Sequence, residues 1–249
     1  MARAVGLQLA LPVWLSEEDS FDSFVSEDND LLLPYLKQFI DDSIPHENQS
    51  TVPFCFIHAL ARGGKSHLLY ASCHYANDRS VSHAYFDMQT IKQFPVSIIL
   101  NAEAKDIICF DNLHVIRHDI NWQIAIFDLL NKVIEQNQAN ASNSRTKVIL
   151  TADTAPNQVG FTLPDLVSRL NWGMVFQIAA LSDATNSQII RERFEKRGLV
   201  INDELVNFLI NRVNRDIGEL LKLVDILDQR SLEAQRKLTI PFVKQVLDL

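Results

Sequence analysis

Between residues 53 and 179, short apolar runs alternate with longer stretches in which apolar residues return every three or four positions. PFCFIHA at 53–59, HAYFDM at 83–88, DIICFDN at 106–112, KVILTA at 147–152 and MVFQIA at 174–179 read as strands. Their nearly continuous apolar character is that of parallel strands covered on both faces. Residues 65–77 and 121–137 carry helical periodicity between them, the second with apolar positions at 122, 126, 129, 130, 133 and 134. A weaker helical stretch covers 95–104, and a short helix opening near Pro34 covers 31–40. The alternation predicts an α/β domain on a parallel five-stranded sheet covered by helices.

Past residue 181 the texture changes. Segments 184–197, 203–213, 216–233 and 240–248 are all helical in period, and no strand candidate interrupts them. Helix starts fall at Ser182-Asp183, Asn202-Asp203, Asp216 and Thr239-Ile240-Pro241. The expected organisation is an N-terminal peptide over 1–15, an α/β domain over 16–180 and a small all-helical domain over 181–249.

Charge changes this picture in one respect. Residues 1–50 hold two cations, Arg3 and Lys37, against ten anions, so the formal charge of −8 resides there. The rest of the chain carries 21 charges of each sign. A neutral body lacks the Lys/Arg excess that drives DNA binding through counterion release, so direct DNA binding is not expected. Three cysteines, at 55, 73 and 109, sit in apolar stretches without a C-x-x-C pair and read as buried thiols of a reducing compartment. No apolar run is long enough to cross a membrane as a helix. The first 15 residues fit a secretory signal poorly, with one Arg, interruptions at Gln8 and Pro12, and no small-residue cleavage site. A cytoplasmic protein is expected.

The candidate chemistry begins with Gly63, Gly64, Lys65 and Ser66, between the first strand and the following helix. That is the setting of a phosphate-binding loop. Glycines let backbone N–H groups close on phosphate oxygens, and the helix presents its positive end. Lys65 would reach the terminal phosphate, and the Ser66 hydroxyl would ligate Mg²⁺, with His67 next in the helix. The G-x-x-x-x-G-K-[ST] pattern wants Gly at 59, and this chain has Ala59. Asp111 ends the third strand at its C-terminal edge, where such proteins hold Mg²⁺ through water. The following residue is Asn112. Hydrolysing relatives place a Glu there, and an amide cannot take the proton. Thr151-Ala152-Asp153 ends the fourth strand, Arg169 lies before the fifth, and Arg215 opens a long helix. From position alone, an arginine on a surface helix is usually a solvated residue.

Together these segments resemble the AAA+ module of the bacterial replication initiator DnaA, and more nearly the DnaA-related regulators of the Hda family. The resemblance spans nearly the whole chain. It includes FDSFV at 21–25, LTADTAP at 150–156, SRLNWG at 168–173 and AQRKLTIPFVKQVL at 234–247. The resemblance to the regulators implies a protein without the helix-turn-helix domain of DnaA. Gln8, Leu9, Leu11, Pro12 and Val13 lie in a segment that looks like the family's sliding-clamp peptide.

The resemblance implies a protein that binds ADP or ATP with Mg²⁺ and docks on the DNA polymerase III sliding clamp. It would reach DNA only through that clamp, and it would stimulate hydrolysis of DnaA-bound ATP. Arg169 would be an arginine finger supplied in trans. Asp153 matches the sensor-one position and Arg215 sensor two. Phe24 and Val25 would lie near the adenine, and homo-oligomers are possible within the family. Two alternatives stay open: an autonomous ATPase, and an accessory factor that binds DnaA without inactivating it.

Overall fold

The computed structural model describes residues 20–24, 31–42, 52–59, 63–139, 145–179, 182–199, 201–212 and 217–247. The five expected strands form: β1 Phe54–His58, β2 His83–Asp87, β3 Ile107–Asp111, β4 Lys147–Ala152 and β5 Met174–Gln177. They make one parallel sheet in the order β2-β3-β4-β1-β5. Helices α1 Leu32–Asp41, α2 Lys65–Asp78, α3 Met88–Ile91, α4 Ile120–Ala139 and α5 Pro164–Leu170 accompany it.

Alternation along the three central strands divides their side chains between two cores. Phe54, Phe56, Ile108, Phe110, Val148 and Leu150 face one layer, packed with Trp122, Ile126, Leu130 and Val133 of α4 and with Leu166 and Leu170 of α5. Cys55, Ile57, Ile107, Cys109 and Ile149 face the other, against Leu36 and Ile40 of α1 and Leu68, Leu69 and Cys73 of α2. These strands read as unbroken apolar runs because both faces are covered.

Two expectations are corrected. The helical stretch expected over 95–104 is instead two 3-10 turns, Val96–Ile99 and Ala102–Ala104. Pro95 precedes the first and Asn101, at φ 64°, separates them, so no continuous helix can run through. The strand β5 is real but not buried. Among the described residues it pairs only with β1, and Met174 and Val175 are 49% and 37% exposed. Its apolar character belongs to a sheet edge.

After the sheet come α6 Asp183–Lys196, α7 Asp203–Arg212, α8 Ile217–Ala234 and α9 Ile240–Val246. Ser182 caps α6 through the Thr185 N–H, and Thr239 caps α9 through the Phe242 N–H. Ile190, Phe194, Leu205, Leu209, Val224, Leu227 and Val243 form their own core. Arg197 ties α6 to α8 through Asp225 at 2.8 Å and Asp228 at 3.5 Å. Among the described residues, no helix is long and apolar enough to cross a membrane.

Candidate nucleotide site

The C-terminal ends of β1, β3 and β4 lie side by side, with Ile57 level with Thr151 and Phe110 level with Leu150. Open α/β sheets bind ligands at this end of their strands. The loop after β1 turns into α2 through Gly64, whose φ of 74° is in the left-handed region. The Phe24 ring covers that glycine so closely that a Cβ there would sit 2.8 Å from it. Phe24 also contacts the His67 ring, and His67 Nε2 lies 3.0 Å from the Ser20 carbonyl oxygen. The segment carrying Phe24 is thus seated on the first turn of α2.

Gly63 resolves the Ala59 departure. A Cβ on Gly63 would lie 2.5 Å from the Ala59 Cβ. The methyl at 59 already fills the space between the two positions, and a glycine at 63 leaves room for it. Lys65 is buried, and its Nζ donates to the Ala59 carbonyl at 3.1 Å. The head group is therefore held across the mouth of the loop.

Asp111 is the hub, 1% exposed at the end of β3. Its Oδ2 accepts from Ser66 Oγ at 2.5 Å and from the Tyr85 hydroxyl at 2.9 Å. Its Oδ1 accepts from Thr151 Oγ1 at 2.5 Å and from the Asn112 N–H at 3.0 Å. Buried polar oxygens call for such donors. Burial and the carboxylate beside it hold the Tyr85 hydroxyl far above its ordinary pKa, so it stays a donor.

Ser66 and Asp111 are therefore the adjacent oxygen pair that a hard cation requires. Among the described residues no cluster of three or more His, Cys, Asp or Glu could hold a metal alone. This donor set fits Mg²⁺, which commonly takes one or two protein ligands and completes its shell with phosphates and water.

The Asn112 amide is turned from this hub. Its backbone is left-handed at φ 59°, and Nδ2 donates to Asp87 Oδ1 at 3.1 Å. Asp87 also caps α3 through the Gln89 N–H. Asp153, just beyond β4, is paired with Arg117 at 2.5 Å. Burial opposes its ionisation, but the Arg117 hydrogen bond and nearby cations prevail and hold its pKa below the usual carboxylate range. Thr151, and not Asp153, is the residue of this segment that touches Asp111.

Arg169 lies on α5, its guanidinium 5.1 Å from the Trp172 ring and 5.9 Å from Phe127. These residues line an open cavity of about 360 Å³ with Asp165, Ser168 and Asn171. Among the described residues no carboxylate forms an ion pair with Arg169. Val25, Arg215, and the N-terminal Gln8, Leu9, Leu11, Pro12 and Val13 lie outside the described residues.

Sequence reasoning passed over Tyr85 and Arg117. Tyr85 reaches Asp111 only through the β2–β3 register, which sets it level with Cys109 and which the sequence does not give. Arg117 carried no signal, since nothing in its local pattern marks an ion-pair partner 36 residues away.

The family model for the bacterial DnaA ATPase domain matches residues 15–177, about two thirds of the chain. The chain belongs to the DnaA-related AAA+ family. Residues 183–247 match the model for the lid domain of Hda, which makes this an Hda-like member. Solved structures agree in fold. Domain III of the Thermotoga maritima replication initiation protein DnaA matches at 17% identity and TM-score 0.71, covering 94% of this chain and 97% of that one. AMPPCP-bound DnaA from Aquifex aeolicus matches at 21% identity and TM-score 0.62, covering 88% and 68%. The Thermotoga maritima RuvB Holliday junction branch migration motor matches at 13% identity and TM-score 0.57, covering 92% and 71%. This DnaA relative thus keeps the AAA+ fold at low sequence identity to these structures.

Proposed function

We propose that this Hda-like protein is a negative regulator of replication initiation. It binds ADP or ATP with Mg²⁺, docks on the sliding clamp through Gln8–Val13 and stimulates hydrolysis of DnaA-bound ATP through Arg169 in trans. The observation that carries the reading is the setting of Arg169. Its guanidinium lies beside two aromatic rings at the edge of an open cavity, and among the described residues it forms no ion pair. A cation kept unneutralised at a surface is suited to meet a phosphate carried by another molecule.

Within its own site the chain has the parts that grip a nucleotide and carries an amide, Asn112, directly after Asp111. Ser66, Lys65 and the Gly63-Gly64 turn fit phosphate and Mg²⁺, and nucleotide when bound would supply the phosphate oxygens that complete the cation's shell. Asn112 can neither take a proton nor leave Asp87 without losing a hydrogen bond. Weak intrinsic turnover follows, with the chain acting as a partner more than as an enzyme.

The neutral body and the N-terminal peptide support indirect recruitment to DNA through the clamp, in the cytoplasm. The test has two arms. Arg169→Ala should retain nucleotide binding and lose stimulation of DnaA hydrolysis by a large factor, since such fingers are worth ~10³–10⁵ in rate. Leu11→Ala with Pro12→Ala should lose capture by immobilised clamp. Full stimulation by the first variant removes the trans finger, and undiminished capture of the second removes the peptide.

A further inference from the structure

An open groove of about 490 Å³ lies between α4 and the two 3-10 turns ahead of β3. Among the described residues it shares none with the cavity beside Arg169. Ile99 and Leu129, both buried, form its floor. Val96 and Leu100 make one wall, and Leu100 is 62% exposed. The other wall is α4, which brings Asp128, Lys132 and Glu135 to one side by its period of three and four. Ile124, also exposed, continues that wall one turn before Asp128.

The turns are tied down at both ends. Ahead of them, Trp122 Nε1 donates to the Lys92 carbonyl at 3.1 Å. In the second turn, Thr146 Oγ1 donates to the Glu103 carbonyl at 3.1 Å. Ile99 and Ala102 are buried between these ties, so the wall that presents Leu100 is preformed. A fixed wall lowers the ordering cost of binding, and covering its exposed aliphatic surface is favourable.

Charge says what the occupant carries. Lys132 is paired with Glu103 at 3.6 Å. Among the described residues Asp128 and Glu135 form no ion pair, so the rim keeps two negative charges. They stand seven residues apart on α4, which is two turns or about 10 Å. Such a rim repels a phosphate backbone and attracts cations. The lining comes from a helix and from turns, not from a strand edge to which an extended peptide could add. A helix laid along α4 meets both acids with cations at i and i+7. Its apolar residues at i+3 and i+4 then fall between them, toward Leu100 and Ile99.

We infer that this groove binds a short amphipathic helix of a partner protein, with Lys or Arg two turns apart and large apolar residues between them. The surface is separate from the Arg169 cavity, so the inference goes beyond the trans finger and stands or falls without it.

The test pans a phage-displayed library of helix-forming peptides of about 14 residues, ~21 Å long, against the full chain. Enriched sequences should carry paired cations two turns apart with large apolar residues between. A synthetic peptide of the enriched sequence, followed by fluorescence anisotropy, should bind about tenfold or more weakly to Leu100→Asp. It should weaken similarly with Asp128→Lys and Glu135→Lys combined. All three side chains are exposed, so melting temperatures should stay near wild type. Replacing the two peptide cations by Glu should abolish binding to wild type and restore it to the doubly substituted protein. No enrichment above an empty support, enriched peptides without the paired cations, or binding indifferent to the groove variants overturns the inference. So does a labelled thymidine oligonucleotide that wild type binds and the groove variants lose.

Discussion

Ala59 and Gly63 divide one small volume between them. Adding a methyl at 63 places two carbons 2.5 Å apart, and neither can swing away because both are fixed to backbone. Gly63→Ala should lower stability by about 1–3 kcal/mol and weaken nucleotide binding. Ala59→Gly in the same chain should restore most of both, measured by chemical denaturation and nucleotide titration. Lys147 is a second coupled residue, fully buried at the start of β4 with its Nζ over the Phe39 ring. Burial pulls its pKa down to about 8, with Arg145 adding and Asp42 opposing. Between pH 8 and the ordinary lysine value of 10.5, the unfolded chain keeps a proton that the folded one has released. Stability from this group therefore rises with pH across that window and is constant below it. Denaturation midpoints measured across the window should show the rise in wild type and lose it in Lys147→Met. Neither pairing was legible in the sequence. Spacing reveals that position 59 departs from the loop pattern, but the compensation at 63 is a matter of packing in three dimensions.

At the scale of elements, the join between β1 and β5 is the delicate one. Gly173 enters β5 so close to β1 that a Cβ would overlap the Phe54 carbonyl group. Gly173→Ala must shift β5, and it should lower the melting temperature and disturb the neighbouring Trp172 and Arg169. Trp172→Ala is the milder probe. The indole is 48% exposed, so its loss costs little core burial, but it removes one of the two rings beside Arg169. Trans stimulation of DnaA hydrolysis should fall while nucleotide affinity and melting temperature stay near wild type. Retained stimulation would mean the ring does not position the finger. The strands and the long helices α2 and α4 were readable because apolar period is a direct image of burial. The turns over 96–104 were not. Their apolar spacing passes for a short helix, and the left-handed backbone at Asn101 that divides them leaves no mark in that spacing. The strand β5 was found, but its exposure was not, because edge and centre share the same apolar run.

Across the whole molecule, a sheet with covered faces carries the site at its strand ends, and a helical lid with its own core follows in the chain. The order of these parts was legible from the change of period at residue 181. Ser66 and Asp111 were legible because motif and strand end both mark them. The remaining donors to Asp111 were not, since Tyr85 and Thr151 come from strands on either side of β3 and meet only once the sheet is registered. What this assembly does to another molecule is read most directly from turnover of ATP held by DnaA. DnaA loaded with labelled ATP is followed alone, with this protein, with clamp loaded on DNA, and with both. Rapid conversion to ADP is expected only when protein and loaded clamp are both present, and none of that acceleration with Arg169→Ala. Conversion that proceeds at the rate of DnaA alone in the complete mixture would contradict that expectation.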